Sequence, residues 1–306
     1  MVNKVELPKG GRRAEALALS VAGQAEQAPR RQGAWRALLR NPIGMTGVVI
    51  IGLVILTALV GRFAWTKSYS AENYTRLLSP SAAHPMGTDE LGRDDLARII
   101  HGAQVSIEVG VVAVGVALVL GLLIGVTAAF YGGVIDAVLM RVVDVLFAIP
   151  SLVLAILIAG LLGPSRTNAM IAIGIVFAPS FARVIRGSAL TVLAHPYVEA
   201  ARALGVTDLR IITRHVLRNI ISPIIVLTTI YLSSAVLTEA ALSFLGLGVQ
   251  PPEPSWGSML FEAMPYMQIA PWLAVFPGLA IMLVVLGLNF LGDGLRDVLD
   301  PRVRDA

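Results

Sequence analysis

The sequence predicts an all-α integral membrane protein with six transmembrane helices. Hydrophobic residues make up 56% of the 306 positions and charged residues only 14%, whereas a soluble domain carries about a quarter charged residues. The apolar residues fall into six runs, most of them long enough to cross a hydrocarbon layer about 30 Å thick. The chain has no cysteine, which excludes disulfides, thiolate metal sites and cysteine nucleophiles.

The amino-terminal third of the chain is predicted to hold a tail, one span and a loop. Residues 1–40 are polar and basic and are typical of a disordered tail, which a short interfacial helix at 35–39 would end. A secretory signal would have only a short charged region before its apolar run. Residues 41–104 hold the first span, at 44–64, and a long external loop. This loop is most simply a solvated one; the alternative is a structured gate or a docking surface for an external partner.

Residues 105–295 are predicted to form a core of five further spans. These are expected at 107–130, 142–162, 169–182, 220–245 and 272–291. The first of them carries Gly121 and Gly125 at a spacing that lets two helices approach closely, and the second contains Pro150. The run at 169–182 is short, so its helix is expected to continue beyond the membrane. Residues 296–306 form a second polar tail.

The distribution of basic residues predicts the orientation of the chain. Six spans place both termini on one side of the membrane. The loop 246–271 has no lysine or arginine, whereas both tails and the segment before the fifth span are rich in arginine. Because basic loops stay on the cytoplasmic side, we expect both termini and that segment to be cytoplasmic.

The segment 197–217, between the fourth and fifth spans, is predicted to form a helix–glycine–helix elbow. Pro196 suits the first turn of a helix, and Gly205 suits the left-handed residue that ends it. Helical spacing groups four residues on one face of this first helix: Tyr197, Ala200, Ala201 and Leu204. An elbow this polar cannot lie in lipid, so it must meet water or a partner protein.

The second helix of the elbow is predicted to begin after Thr207 or Asp208, either of which can cap it. Its apolar stripe would hold Leu209, Ile212 and Val216, with the arginines Arg210, Arg214 and Arg218 mostly off that stripe.

The sequence carries no catalytic or nucleotide-binding arrangement that we recognise. It has neither an HExxH pair nor a GxSxG elbow, and none of its three lysines follows a glycine, as a phosphate-binding loop requires. The four histidines are interpreted as satisfied surface residues, not as metal ligands: His84, His101, His195 and His215. The chain is therefore predicted not to be an enzyme, with no metal and no cofactor. Energy for uphill transport would come from an ion gradient or from another subunit.

Glu239 is the one carboxylate that lies well inside a predicted span. Burying it costs about 3 kcal/mol on insertion scales, so it should face protein or a water-filled cavity. A structural hydrogen bond at a helix contact is the favoured interpretation. The alternative is that Glu239, with Phe244 nearby, lies in a translocation path or gate.

Several stretches resemble one family of transporters. Glu199-Ala200-Ala201, followed after three residues by Gly205, resembles the EAA loop of ABC importer permeases. The blocks GTDELGRDDLARIIHGAQVSI (87–107) and ALSFLGLGVQPPEPSWGSML (241–260) are similar to blocks of the dipeptide, oligopeptide and nickel importer permeases, as is the stretch 36–61. The resemblance covers about residues 33–303. One departure is that the family usually continues to Leu-Pro, where this chain has Leu217-Arg218.

The resemblance implies a transmembrane subunit of an ATP-driven importer in the bacterial inner membrane, with the type I (methionine-importer-like) permease fold. It indicates the second type of permease in this family, which is paired with a related, second homologous permease. The other implied partners are one or two ABC ATPase subunits, an extracytoplasmic solute-binding protein and membrane lipid, with no nucleic acid. Transport would proceed by alternating access.

The resemblance also implies roles for particular residues. The cytoplasmic loop 195–218 would carry the coupling helix that docks on the ATPase, through Tyr197, Glu199, Ala200, Ala201, Leu204 and Gly205. The loop with Pro251, Pro252 and Trp256 would be a rigid outer turn in the vestibule near the solute-binding protein.

Peptides are the substrate class that the resemblance favours, with nickel chelates or glutathione-type solutes as alternatives. A stand-alone ion-coupled carrier would need ion ligands in mid-span and usually an inverted repeat. An intramembrane enzyme would need paired catalytic groups at one depth. The sequence shows neither clearly.

Overall fold

The computed structural model describes residues 38–39 and 41–299, and the described part is almost entirely helical. Its only extended pairing is an isolated bridge between Thr88 and Asp94. Eleven α-helices follow one another: α1 Pro42–Ala64, α2 Asp95–Tyr131, α3 Gly133–Phe147, α4 Ser151–Leu162, α5 Arg166–Leu193, α6 Pro196–Ala203, α7 Asp208–Ile211, α8 Leu217–Asn219, α9 Ile221–Phe244, α10 Trp256–Ala263 and α11 Trp272–Leu299. The predicted amino-terminal tail, with most of its interfacial helix, and residues 300–306 lie outside the described residues.

Five of these helices are long and apolar enough to cross a membrane by themselves: α1, α2, α5, α9 and α11. The pair α3 and α4 passes the same test only as a unit, which would make the sixth span. The prediction of an all-α membrane protein is therefore confirmed, and the count reaches the predicted six spans when the bent pair is one span.

The third span differs from the single helix predicted at 142–162. It begins at Gly133, and its two helices meet at an angle of 93°. The break falls at Pro150, whose backbone takes extended angles (φ −53°, ψ 132°). Proline has no amide hydrogen and its ring clashes with the preceding turn, so the chain leaves the helix at this point. The sequence showed the proline but not the size of the bend.

The helices also extend past the apolar runs that predicted them. α2 begins at Asp95 instead of 107, so that His101 lies inside it, and α11 continues to Leu299, past the start of the predicted polar tail at 296. Hydropathy marks the part of a helix that suits lipid, whereas hydrogen bonding and capping decide where the helix ends.

Glycines bring the spans into close contact, which matters because lipid provides no hydrophobic force between helices. Gly121 and Gly125 of α2 face the backbone of α5 at Phe181 and Ala182, as their spacing predicted. A second contact of this kind joins α1 to α11, where Gly44 lies against Gly294.

The start of α1 meets the end of α11. Asn41 caps α1 by accepting hydrogen bonds from the amides of Ile43 (3.0 Å) and Gly44 (3.2 Å). Its Nδ2 atom donates to Asp297 Oδ2 at 3.0 Å. The two ends of the continuous described segment therefore lie together, as an even number of spans requires.

We expect Gly125→Ala to destabilise the protein, because an added Cβ would lie 2.5 Å from the carbonyl oxygen of Ala182. Such overpacking costs about 1–3 kcal/mol, which thermal unfolding of the purified protein in detergent would detect. Gly115→Ala is the matched control on the same helix, since its Cβ would meet no atom within 4 Å. Equal stability of the two variants would contradict this account of the α2–α5 contact.

Candidate functional site

The first half of the elbow is a short helix that ends as the sequence predicted. Pro196 is the first residue of α6, and Gly205 takes the left-handed conformation at φ +74°. The amide of Gly205 donates to the Arg202 carbonyl (2.9 Å), and that of Val206 donates to the Ala201 carbonyl (3.1 Å). This pair of bonds is the Schellman pattern, which satisfies the last carbonyls of a helix.

The faces of α6 differ from the predicted grouping in one residue. Val198 and Ala201 are buried, whereas Tyr197, Glu199 and Ala200 are exposed. Ala201 was predicted to lie on the docking face, but it packs towards the rest of the protein because it lies three residues from Val198 on the same side of the helix.

Two leucines make the elbow unusually apolar at its surface. Leu204 is 83% exposed and Leu209 is 72% exposed, one on each side of Gly205. Leu209 was predicted to share one apolar stripe of the second helix with Ile212 and Val216; the residues buried there are instead Ile211 and Val216. An isolated exposed leucine is ordinary, but two together outside the spans are suited to contact with a partner protein.

The second half of the elbow is irregular. α7 is a single turn with Thr207 at its N-cap position, where the threonine side chain makes no capping hydrogen bond. A π-helix at Ile212–Val216 separates α7 from α8. A regular helical period therefore could not place the stripe correctly. α9 begins at Ile221, with Pro223 inside its first turn, where a missing amide hydrogen is tolerated. Arg218, which stands where the family has proline, lies in the short α8.

Tyr197 joins the two halves of the elbow. Its ring stacks on His195, with centroids 5.5 Å apart, and lies 5.9 Å from the ring of His215. Asn219 Nδ2 donates to the tyrosine hydroxyl at 3.4 Å. These contacts hold together the two halves of the elbow, which carry the exposed leucines Leu204 and Leu209.

Two ion pairs join α5, the helix that leads into the elbow, to α3. Arg186 binds Asp136 through two hydrogen bonds of 2.5 Å each. Arg183 donates one hydrogen bond of 2.7 Å to Asp144, and its guanidinium group lies 4.2 Å from the ring centroid of Phe147. The sequence did not predict the partners of these two arginines. Two acidic residues in α3 and two arginines in the second half of α5 were the available signal.

A cavity of about 500 Å³ opens at the α3–α4 bend, where Phe147 lines it. Its walls come from the α3–α4 bend, the middle of α5 and the middle of α9. Besides apolar side chains, they present the hydroxyl groups of Ser151, Ser180, Tyr231, Ser234 and Thr238. The sequence did not reveal this cavity, because no local pattern marks which faces of three separate spans converge.

Glu239 and Phe244 lie apart from this cavity. The Glu239 side chain is fully buried, and Ser243 Oγ donates to its Oε1 atom at 2.7 Å. Ser243 Oγ in turn accepts a hydrogen bond from the amide of Val249 (3.1 Å). The ring of Phe244 packs edge-on against Phe261. This geometry fits the structural interpretation of Glu239, as an anchor for the loop after α9.

The outer loop after α9 is anchored by a tryptophan. Pro251 and Pro252 are exposed and are joined by a cis peptide bond. Trp256 is only 2% exposed, and its indole Nε1 donates to the carbonyl of Ile99 at 3.1 Å. Trp256 was predicted to be part of an outer turn, but it begins α10 and packs into the core between α2 and α11.

The loop between α1 and α2 is structured, contrary to the favoured prediction of a solvated loop. Asp94 caps α2 by accepting from the Ala97 amide (3.0 Å), and it is fully buried. Three side chains converge on its carboxylate: Trp65 Nε1 (2.9 Å), His84 Nδ1 (2.7 Å) and Lys67 Nζ (3.2 Å). His84 was predicted to be a surface residue and is buried, because its ring is held against this carboxylate.

The electrostatics of this cap favour the charged carboxylate. Burial alone would raise the pKa of Asp94. The hydrogen bonds from Ala97, His84, Trp65 and Lys67 outweigh burial and hold the pKa below its usual value.

A second ion network ties the same loop to α10. Arg93 Nε binds Asp89 Oδ2 at 2.5 Å, and the guanidinium groups of Arg93 (3.1 Å) and Arg98 (2.5 Å) both reach Glu262. The carboxylates of Asp89, Glu90 and Glu262 are close enough to hold a cation, but the two buried arginines already supply positive charge there. These ion pairs join the loop, α2 and α10 into one surface.

A family model described as the binding-protein-dependent transport system inner membrane component matches residues 117–305. A second model, described as the N-terminal TM domain of oligopeptide transport permease C, matches residues 30–80.

Two curated relatives match almost the whole chain. A dipeptide transport system permease protein of Alkalihalophilus pseudofirmus is 45% identical over 272 residues, which covers 89% of this chain and 90% of the relative. A glutathione transport system permease protein of Escherichia coli is 44% identical over 274 residues, which covers 88% and 90%.

Among solved structures, an inward-facing methionine ABC transporter resembles this chain with a TM-score of 0.54 and 21% identity. The match covers 66% of this chain and 96% of the transporter chain. The likeness establishes the fold, which is the type I permease fold that the sequence predicted.

We expect Asp94→Asn to lower stability near neutral pH, because the amide keeps the cap but loses the charge that Lys67 and His84 stabilise. The loss should be about 1–3 kcal/mol. A carboxylate with a lowered folded pKa stabilises the fold above its unfolded pKa, about 3.9, and loses that contribution as pH falls through the folded value. The unfolding temperature of the parent should therefore fall below about pH 4, and that of the variant should fall less steeply.

Glu72→Gln is the control for this prediction, because Glu72 is an exposed carboxylate of the same loop. Its unfolding temperatures should follow those of the parent. Parallel pH profiles for the parent and Asp94→Asn would show that the charge of Asp94 contributes nothing to the stability of the protein.

Proposed function

The chain belongs to the family of binding-protein-dependent transport system inner membrane components, and we propose that it carries peptides through the membrane in partnership with a second, homologous permease. As a member of this family it is a multi-pass inner-membrane permease subunit of an ABC importer. ATP is hydrolysed by a separate partner subunit, and a solute-binding protein delivers the substrate. The chain itself is a transport subunit and not an enzyme.

The substrate proposal rests on similarity over nearly the full chain. One relative is named for dipeptides and the other for glutathione, at 45% and 44% identity. Glutathione is itself a short peptide, so both names indicate a small zwitterion. Short peptides are accordingly the proposed substrate class, with glutathione as the second candidate within it.

The elbow is proposed to be the coupling element, and the exposure of Leu204 and Leu209 is the observation that carries this proposal. Their side chains would enter a groove on the ATPase, with Tyr197 and Ala200 beside them and Glu199 available for an ion pair. Closure of the ATPases would push on α6, and α5 would carry that movement towards the cavity. After hydrolysis the ATPases would separate and this movement would reverse, which gives alternating access.

The orientation follows from the same assignment. If the elbow meets a cytoplasmic ATPase, both termini are cytoplasmic, because an even number of spans separates each terminus from the elbow. The surface made by the outer loop, α10 and the turn at Pro251 and Pro252 then faces the solute-binding protein. The cavity, which opens to one side of the chain, would be completed by the second permease and would form part of the translocation path.

We expect Gly205→Val to lower ATP-dependent peptide uptake by at least about tenfold, because a β-branched residue is strained at φ +74° by more than 1 kcal/mol. The assay is dipeptide uptake by the complete complex in proteoliposomes, together with ATPase stimulation by the binding protein. The variant should still assemble, since a Cβ at this position would meet no atom within 4 Å.

Gly205→Asn is the matched control, because asparagine tolerates the left-handed conformation. It should retain most of the uptake and of the stimulated ATPase activity. The coupling proposal is wrong if the valine variant matches wild type in both assays.

A further inference from the structure

The Arg183–Asp144 pair lies between the cavity and the coupling helix. Arg183 is one helical turn beyond Ser180 along α5, on the way to α6, and Ser180 lines the cavity. Asp144 is one turn before Phe147, which lines the cavity at the α3–α4 bend and stacks on the Arg183 guanidinium group. The pair therefore stands at the end of the cavity that leads towards the elbow.

The charge and the exposure of this pair together indicate surroundings other than hydrocarbon. The Arg183 side chain is 54% exposed and the Asp144 side chain is 52% exposed, although both belong to helices counted as spans. Charged groups in a span face protein or a water-filled cavity, because hydrocarbon would cost several kcal/mol for each charge. The open side of this pair therefore faces water or the partner permease.

The hydrogen bonding of the pair is incomplete. Within the described residues, Arg183 donates one hydrogen bond, from a terminal guanidinium nitrogen to a single oxygen of Asp144. Arg186 and Asp136 offer a direct comparison, because they share the same two helices and bind through two bonds, one to each carboxylate oxygen. The Arg186–Asp136 pair is bidentate, whereas the Arg183–Asp144 pair leaves guanidinium donors and one carboxylate oxygen without a hydrogen-bond partner among the described residues.

The cavity itself provides no other charge. The side chains that line it are apolar or carry hydroxyl groups. Hydroxyl groups can replace water around a polar solute without holding it firmly, whereas an ammonium or carboxylate group needs an opposite charge in a dry site. Arg183 and Asp144 are the charges beside this neutral lining.

We propose that Arg183 and Asp144 form a substrate station in the translocation path, where they bind the carboxylate and ammonium groups of a zwitterionic peptide. The proposal rests on the proposed function of the chain as a peptide permease. As the peptide arrives, its carboxylate takes the free donors of Arg183 and its ammonium group takes the free oxygen of Asp144. Each charge then keeps a partner throughout, so the crossing never requires an isolated charge at this depth.

The experiment uses the absence of cysteine from the chain. Ser180→Cys places one thiol on the partly exposed cavity wall, one turn from Arg183. The complete importer complex, without binding protein or ATP, is treated with a water-soluble maleimide, and modification of this subunit is read by mass. We expect saturating dialanine to slow the modification by roughly tenfold through mass action, and N-acetyl-dialanine amide, which has no charged ends, to leave it unchanged.

Variants of the arginine test the station directly. In the same cysteine background, Arg183→Gln should raise the dialanine concentration that gives half-maximal protection by about tenfold or more. A factor of this size corresponds to the loss of one charge-assisted hydrogen bond. Arg183→Lys, which keeps the charge, should lose less, and it also covers the case in which the glutamine variant fails to fold. Arg186→Gln is the matched control, and dialanine should protect its thiol as well as it protects the thiol of the parent.

Three outcomes would overturn the station: no protection by dialanine, equal protection by the blocked peptide, or unchanged protection in Arg183→Gln. ATP-dependent dialanine uptake by the parent complex is measured in parallel. If uptake occurs and protection does not, the station is wrong and the proposed function stands. If the parent complex transports neither dialanine nor glutathione, the proposed function itself fails.

Discussion

The cost of placing a charge in hydrocarbon governs this structure more than any other interaction. Arg183 and Arg186 of α5 have acidic partners on α3, and Arg166 at the other end of α5 binds Glu108 and Glu253. Because a charge in a span needs a partner or water, these pairs fix which faces of the helices meet. They also indicate where water or a second subunit must enter, since Arg183 and Asp144 are too exposed for a lipid contact.

α5 connects the parts of the permease that the proposed cycle has to link. One end of α5 is tied to α2 and to the loop after α9, its middle lines the cavity, and its other end leads through Ala194 and His195 into α6. Glycine contacts hold it closely against α2. A push on the elbow would therefore act on the cavity wall through one continuous helix, and the Arg183–Asp144 pair would carry it to α3 and the bend at Pro150.

Sequence patterns predicted the features that depend on local chemistry and missed those that depend on distant contacts. The apolar runs indicated the spans, and the left-handed cap at Gly205 followed from the residue alone. The burial of His84 against Asp94, the inward position of Ala201 and the outward position of Leu209 depend on packing between separate segments. The π-helix at Ile212–Val216 altered the period on which the Leu209 prediction relied. The cavity needs three spans to converge, which no single stretch of sequence encodes.

The most direct measurement is to purify this subunit in mild detergent from its native membrane and to identify the accompanying chains by mass. The account predicts a second permease and ATPase subunits, and it predicts that the ATPases are lost when residues 199–205 are replaced by a Gly/Ser linker. Recovery of this subunit alone, still active in peptide uptake without ATP, would contradict the account and would indicate a self-sufficient carrier.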